Sequence, residues 1–191
     1  MTAGILILSY LLGSIPNGLI FGRLFWHRDL RNYGSKNIGA TNAWRVLGAK
    51  AGILIFLLDF LKGALSVLLA KIFLGDAWLM VCAGILAVIG HTFSIFLGLR
   101  GGKGVSTGLG VIFMLIPKVT VCVFLIWLVI FLATRYVSLA SIIASIMTPI
   151  LAIAFDEQIP FVVLGVVAAI FIVYKHRENI SRLRKGRENR F

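Results

Sequence analysis

The sequence has few acidic residues, few cysteines and little charge of either sign. Only 7 of its 191 residues are Asp or Glu, against 19 Lys and Arg, and 14% are charged. Carboxylate clusters hold Mg²⁺ in phosphoryl-transfer enzymes, so this scarcity argues against a metal-dependent reaction of that class. The two cysteines, Cys82 and Cys122, lie far apart within apolar runs. They form no CxxC metal motif and indicate no disulfide, so we expect them to be packing residues.

A Walker A phosphate loop is also missing. The glycine-rich segment 97–107 comes nearest, but Leu97 stands where that motif needs Gly, and Gly104 stands where it needs Ser or Thr. No His/Cys cluster with metal-ligand spacing occurs either. A chain with many anion-binding donors and few nucleophiles suits a reaction whose substrates are already activated. Binding, orientation and charge stabilisation are then enough to catalyse it.

Long apolar runs dominate what is present. Hydrophobic residues make up 60% of the chain and the mean hydropathy is +1.01. The runs do not alternate with polar residues, which excludes the strand pattern of a membrane barrel. In lipid, every backbone N–H and C=O group must be hydrogen-bonded within the protein, as it is in a helix. We therefore predict an all-α, polytopic integral membrane protein, with one domain over residues 1–191.

Seven segments are predicted to cross the membrane, and the N-terminus is predicted to lie outside. They are 2–24, 51–73, 77–97, 105–116, 118–134, 138–155 and 159–175. The first lacks a basic flank and is expected to be retained as a helix. This arrangement places 16 of the 19 basic residues on the cytoplasmic side. One continuous helix over 105–134 would place the basic C-terminal segment outside, so we predict two helices that turn near Pro117.

Small residues within these segments are predicted helix-packing positions. They are Gly4, Gly13, Gly18, Gly63, Gly84 and Gly90.

Three polar segments interrupt the apolar pattern, at 32–50, 97–107 and 174–186. The first offers hydroxyl, amide and guanidinium donors suited to a phosphate or polyol: Ser35, Asn37, Thr41, Asn42 and Arg45. The second combines glycines, a lysine and a helix start, which together favour anion binding: Gly101, Gly102, Lys103, Gly104, Ser106 and Thr107. A solvated loop and a tight basic turn are the alternative readings.

Other polar residues are interpreted as supports for such a site. Asp59 and Lys62, spaced i and i+3 in an apolar segment, are expected to pair and face the protein interior. His91 is expected to be a structural histidine close to the glycine loop. In the third segment, a continuing helix would put His176 and Asn179 on one face, and Glu178 four residues before Arg182.

Five motifs carry a resemblance to a known family. The chain resembles the bacterial acyl-phosphate:glycerol-3-phosphate acyltransferases over essentially its full length. The matching pieces are GSIPNG at 13–18, GSKNIGATNAWRVLG at 34–48, LDFLKG at 58–63, GHTFSIFLGLRGGKGV at 90–105 and KHRENISRLRKGRE at 175–188.

The resemblance implies transfer of an acyl chain from acyl-phosphate to the 1-hydroxyl of glycerol 3-phosphate, giving lysophosphatidic acid. It implies a bacterial inner-membrane enzyme that starts phospholipid synthesis, with its active site on the cytoplasmic face. Acyl-phosphate, glycerol 3-phosphate and membrane lipid are the implied partners. No metal, other cofactor, nucleic acid or obligate protein partner is expected.

The resemblance also implies roles for single residues. Ser35 and Arg45 would be essential for activity, and Gly101, Gly102, Lys103 and Gly104 would form the phosphate-binding loop. His176 and Asn179 would act in the third motif, with Glu178 mainly structural. A small transporter for a phosphate-bearing solute remains the alternative, although it would need polar residues along a path through the membrane.

Overall fold

A computed structural model describes all residues, Met1–Phe191, as helices without strands. The chain divides into two compact units, Met1–Met114 and Leu115–Phe191. The sequence predicts one domain over residues 1–191, and this domain count stays a prediction.

The first unit contains six α-helices and two short 3-10 turns. The helices are α1 (Thr2–Ser14), α2 (Asn17–Trp26), α3 (Ala40–Leu47), α4 (Ala49–Phe73), α5 (Ala77–Thr92) and α6 (Val105–Leu115). The turns are Leu30–Asn32 and Ile95–Leu97. Helices α1, α4 and α5 pack against one another, and α3 packs on the start of α4.

The segment predicted as one helix over 2–24 is two helices. Helices α1 and α2 meet at an angle of 41°, because Pro16 has no N–H to continue the backbone ladder. The Ile15 carbonyl beside the break accepts a hydrogen bond from Lys62 Nζ at 2.9 Å. The same carbonyl accepts from the Asn17 N–H at 3.1 Å, so the buried lysine is the second donor at the break.

Helix α3 was not expected within the polar segment 32–50. It begins after Gly39 and ends at Gly48, whose φ of 93° suits glycine. Ala43 is fully buried in a cluster with Leu30 and Ile55. Only eight residues long, α3 has an apolar stripe too short to be distinguished from a loop by periodicity.

Glycines let the helices of the first unit approach closely. Gly13 lies against the backbone of Ala87, and Gly90 lies against the carbonyl of Tyr10, which joins α1 to α5. Gly63 lies against the backbone of Thr107, joining α4 to α6. Gly84 lies against Val111 of α6, so helix packing is confirmed for these four positions, whereas Gly18 lies against the backbone of the loop residue Ile38. The prediction is wrong for Gly4, where an added side-chain carbon would meet no atom within 4 Å.

The second unit contains four helices in sequence. They are α7 (Pro117–Thr134), α8 (Val137–Ala154), α9 (Ile159–Lys175) and α10 (Arg177–Arg184). Neighbouring helices along the chain pack on each other. Trp127 of α7 donates to Ser141 of α8 at 3.2 Å, and Gly165 of α9 lies against Pro149.

The helices of the chain break at two places where the sequence made a prediction. Residues 105–134 do form two helices, separated at Ile116. The helix expected to continue through the third polar segment is instead bent by 58° between α9 and α10. The bend falls where an apolar helix gives way to a strongly charged one.

Four segments are long and apolar enough to cross a membrane, and the count rises to six if each bent pair is one span. The four are Ala49–Phe73, Ala77–Leu97, Pro117–Thr134 and Val137–Ala154, and α6 is a shorter apolar helix. An integral membrane, all-helical fold is therefore confirmed. The seven crossings and their orientation stay predictions.

Candidate functional site

The first polar loop is organised around the side chain of Asn42. This residue is 2% exposed, and its Nδ2 lies within 3.2 Å of the carbonyl oxygens of Leu30, Tyr33 and Asn37. Its Oδ1 accepts from the backbone N–H of Ser35 at 2.8 Å. Asn42 thus fixes the loop that presents Ser35, and its predicted contact with substrate stays a prediction.

The remaining predicted residues of this segment differ in exposure. Ser35 is exposed, while Thr41 and Arg45 are half-buried on α3. Asn37 Oδ1 accepts from the N–H of Gly39 at 2.8 Å, a local turn that precedes the helix. Ser35 is therefore the most accessible of the predicted side chains in the first motif.

The glycine loop folds back on the C-terminal end of α5. The N–H of Gly101 donates to the Thr92 carbonyl at 2.9 Å, and that of Gly102 donates to the His91 carbonyl at 3.0 Å. A side-chain carbon on Gly102 would collide with the His91 imidazole. Glycine is required here for close approach to α5, and these two N–H groups close the loop.

The helix start after the glycine loop retains anion-binding capacity. Gly104 has a φ of 82°, and its carbonyl accepts from Gly108 at 2.7 Å, so α6 begins directly after it. The first N–H groups of a helix have no partner within the helix, and they carry the positive end of its dipole. Lys103 and Ser106 beside them are half-buried, whereas Thr107 is fully buried.

A buried polar cluster lies beneath these loops. Asp59 Oδ1 accepts from Asn17 Nδ2 at 3.0 Å, and it forms an ion pair with Lys62 Nζ at 2.9 Å. His91 Nδ1 lies 3.7 Å from the same oxygen. The predicted pairing of Asp59 and Lys62 is confirmed. The cluster ties α2, α4 and α5 together and contacts the glycine loop through His91.

A cavity of about 540 Å³ lies between the first polar loop and the glycine loop. Its lining is Arg31, Lys36, Ile38, Leu97, Gly98, Arg100 and Gly101. Arg31 donates to both oxygens of Asp29, the shortest contact being 2.7 Å, and Arg23 reaches the same carboxylate. The hydrogen bonds from Arg31 hold the pKa of the Asp29 carboxyl well below its usual range.

The third polar segment belongs to the second unit. His176 is buried, and its Nδ1 lies 2.8 Å from the Ile172 carbonyl. A carbonyl only accepts, so Nδ1 carries a proton and Nε2 bears the lone pair of the neutral ring. Asn179 is also buried.

Glu188 is the carboxylate that organises this segment. It accepts from Asn179 Nδ2 at 2.6 Å, Arg182 Nε at 2.7 Å and Ser138 Oγ at 2.9 Å. Burial raises the pKa of Glu188, but these hydrogen bonds outweigh burial and hold it below its ordinary value. The expected pairing of Arg182 with Glu178 is replaced by pairing with Glu188, whereas Glu178 is exposed.

Several residues of these arrangements were not singled out by sequence reasoning. They are Asn17, Arg31, Lys36, Arg100 and Glu188. Asn17, Lys36, Arg100 and Glu188 stand inside recognised motifs, so the motif pattern contained a signal for them. Arg31 lies outside the motifs and looks like an ordinary loop charge in the sequence. Only folding brings the two loops together at one cavity.

Comparison with known proteins identifies the relatives of this chain. The family model described as glycerol-3-phosphate acyltransferase matches residues 3–186. The glycerol-3-phosphate acyltransferase of Aquifex aeolicus is 47% identical over 188 residues, covering 98% of this chain and 97% of the relative. That of Fusobacterium nucleatum is 43% identical over 186 residues, covering 97% and 96%.

Solved structures agree with this similarity. A crystal structure of PlsY (YgiH), described as an integral membrane glycerol 3-phosphate acyltransferase in the glycerol 3-phosphate form, is 46% identical with a TM-score of 0.95. It is matched over 100% of this chain and 95% of that one. The lysophosphatidic acid form is 43% identical with a TM-score of 0.92, at the same coverage.

Proposed function

Because the chain belongs to the glycerol-3-phosphate acyltransferase family, an integral-membrane family of acyltransferases, we propose that it acylates the 1-hydroxyl of glycerol 3-phosphate from an acyl-phosphate donor. The products would be lysophosphatidic acid and inorganic phosphate, in the first step of phospholipid synthesis. The observation that carries this proposal is the full-length similarity, at 46% identity, to PlsY in its glycerol 3-phosphate form.

The reaction is proposed as direct attack. The 1-hydroxyl oxygen of glycerol 3-phosphate attacks the carbonyl carbon, the bond from that carbon to the phosphate oxygen breaks, and phosphate leaves. An acyl-phosphate is a mixed anhydride with a good leaving group, so the reaction needs orientation and oxyanion stabilisation more than a strong acid. The hydroxyl proton goes to His176 or to a phosphate oxygen of a substrate.

An acyl-enzyme is disfavoured by the surroundings of the serines. Ser35 uses its N–H to donate to Asn42, and no histidine is found hydrogen-bonded to its hydroxyl. Residues Gly104 to Gly108 read GVSTG, which matches the spacing of a serine elbow. No strand precedes it, however, and Ser106 lies in the first turn of α6, unlike the strand–turn–helix that such an elbow requires.

Residue roles in the first unit follow from chemistry and position. Arg45 and Lys103 would bind phosphate oxygens by charge-assisted hydrogen bonds, and Ser35 and Asn37 would orient hydroxyls. The N–H groups at the start of α6 would stabilise negative charge that develops on the carbonyl oxygen. Gly101 and Gly102 would hold this helix start in place through their bonds to α5.

Roles in the second unit rest on two buried side chains. The lone pair on His176 Nε2 makes this nitrogen the proton acceptor or a phosphate ligand after protonation. Asn179, held by Glu188, would orient a hydroxyl group. The enzyme is proposed to lie in the bacterial inner membrane with these residues on the cytoplasmic face, and the acyl chain in a groove open to the bilayer.

The test is phosphate release by the purified protein from an acyl-phosphate, with and without glycerol 3-phosphate and with a chelator present. Release that requires glycerol 3-phosphate and survives chelation is the expected result. Release without the acceptor, or accumulation of acyl-enzyme, would contradict direct attack. Loss of activity on chelation, restored by a metal, would contradict the metal-free mechanism.

A further inference from the structure

The cavity between the first polar loop and the glycine loop carries positive charge that the protein does not neutralise. Of its three basic lining residues, only Arg31 has a carboxylate partner, Asp29. Lys36 and Arg100 are exposed and form no ion pair. Two uncompensated cations therefore line one concave surface.

The backbone beside both cations adopts a conformation that ordinary residues avoid. Lys36 itself has a φ of 58°, and Leu99, directly before Arg100, has a φ of 65°. A non-glycine residue with left-handed φ costs about 1 kcal/mol or more, and such residues cluster at functional sites. Both loops thus accept strain where they place a cation at the cavity.

The size and charge of the cavity define a ligand class. A volume of about 540 Å³ lies within the range of small-molecule sites. A phosphate monoester carries close to two negative charges at neutral pH, which match Lys36 and Arg100. No carboxylate lines the cavity, whereas a site for a cationic or zwitterionic ligand would need one.

We propose that this cavity is a second phosphate subsite, which binds the terminal phosphate group of a small molecule, either a phosphate monoester or an acyl-phosphate, through Lys36 and Arg100. Neither Arg45 nor Lys103 lines it, although Gly101 of the predicted phosphate-binding loop does. Direct acyl transfer requires both phosphate-bearing substrates to be bound at once, so a second set of cations would have a use in this reaction. The assignment of this phosphate group to one of the two substrates rests on the proposed function.

The experiment is a binding measurement on the full-length protein in lipid nanodiscs. The dissociation constant is measured by equilibrium dialysis for three probes: glycerol 3-phosphate, inorganic phosphate and a non-hydrolysable acyl-phosphonate in place of the donor. The test variant is Lys36→Gln with Arg100→Gln. The control, Lys50→Gln with Lys71→Gln, makes the same change in net charge at two exposed lysines outside the cavity.

The test variant is expected to weaken binding of at least one probe about tenfold or more, since it removes charge-assisted hydrogen bonds, while the control stays within about twofold. The probe affected identifies the occupant: acceptor, donor or released phosphate. Equal dissociation constants in the test variant and the control, for all three probes, would overturn the subsite. Circular dichroism melting of both variants verifies that each is folded.

Failure of the subsite and failure of the proposed function give different results. A wild-type protein that binds the probes through Lys36 and Arg100 but releases no phosphate from an acyl-phosphate would contradict only the acyl transfer. A wild-type protein that transfers the acyl chain, with unchanged binding in the test variant, would contradict only the subsite.

Discussion

At the scale of single residues, Asn42 shows how one buried amide can shape an exposed loop. Its side chain contacts the backbone at four positions of the loop between α2 and α3. Few alternatives supply both a donor and an acceptor in that volume, since Asp lacks the donor and Leu lacks both. The loop conformation, and with it the position of Ser35, depends on this residue.

We predict that Asn42→Ala loosens this loop and lowers activity. Unsatisfied buried backbone groups cost about 1–3 kcal/mol each, so the loop should lose its fixed conformation before the helices unfold. Limited proteolysis at residues 32–40 and kcat together measure the effect. Asn32→Ala, a change at an exposed position, is the control. Equal cleavage rates for Asn42→Ala and the wild type would contradict the prediction.

Glu188 and Glu178 can be distinguished by the pH dependence of stability. The pKa of Glu188 is lowered in the folded state from an ordinary value of 4.5. A carboxylate of this kind contributes stability above its unfolded pKa and loses that contribution as pH falls. The wild-type Tm should therefore drop as the pH falls from about 5 to about 3, through the ordinary value of 4.5 and below it, in part because of Glu188.

The corresponding variants are Glu188→Gln and Glu178→Gln. Glu188→Gln should have a lower Tm at pH 6 and a smaller drop toward about pH 3, while Glu178→Gln should follow the wild type. Thermal melts of both variants at a series of pH values give the comparison. If Glu178→Gln lowered the Tm and Glu188→Gln followed the wild type, Glu178 would be the residue that stabilises this segment.

At the scale of elements, the glycine loop is positioned by its contact with α5. Gly102 lies so close to His91 that any side chain would displace the imidazole. We predict that Gly102→Ala shifts the loop and lowers kcat/KM about tenfold or more, since small displacements of catalytic groups are costly. Gly108→Ala is the matched control, because a methyl group there meets only an ordinary contact. Near-equal activity of the two variants would contradict this prediction.

The ion pair between Asp59 and Lys62 links several helices. Replacement of either residue alone should lower the thermal stability more than replacement of both. Removal of one partner leaves an uncompensated buried charge, which costs roughly 3–5 kcal/mol, whereas removal of both does not. We expect Asp59→Leu and Lys62→Leu each to lower the Tm strongly and the double variant to recover part of the loss. Additive losses would show that the pair is not coupled.

At the scale of the whole molecule, the distribution of basic residues predicts the orientation in the membrane. A background of Cys82→Ser with Cys122→Ser removes the native thiols. In intact bacterial cells, a membrane-impermeant thiol reagent should label Lys71→Cys directly and Lys50→Cys only after permeabilisation. Labelling in the reverse order would invert the topology.

The fold class and most helix bounds could be predicted from the sequence because apolar length and charge placement are local properties. The ends of α4 and α9 agree with the predicted segments to within two residues. Helix α3 could not be specified, because eight residues are too few for periodicity to identify a helix. Pro16 marks a break in the sequence, but the angles of the bends at Pro16 and His176 are set only on folding. The same holds for the site. Its motif residues can be recognised in the sequence, whereas Lys36 and Arg100 come to line one cavity only on folding.

The break between α1 and α2 has a consequence for how the protein enters the membrane. The Ile15 carbonyl receives a donor from Lys62, which the ribosome adds 47 residues later. Until then, this carbonyl has only the Asn17 N–H as a donor, and the side-chain amide of Asn17 lacks its acceptor Asp59, which lipid cannot replace. Lys62 in turn needs Asp59 and Ile15 to be stable away from water. We therefore expect α1, α2 and α4 to leave the insertion machinery together, so that the first unit inserts into the membrane and folds in a single step.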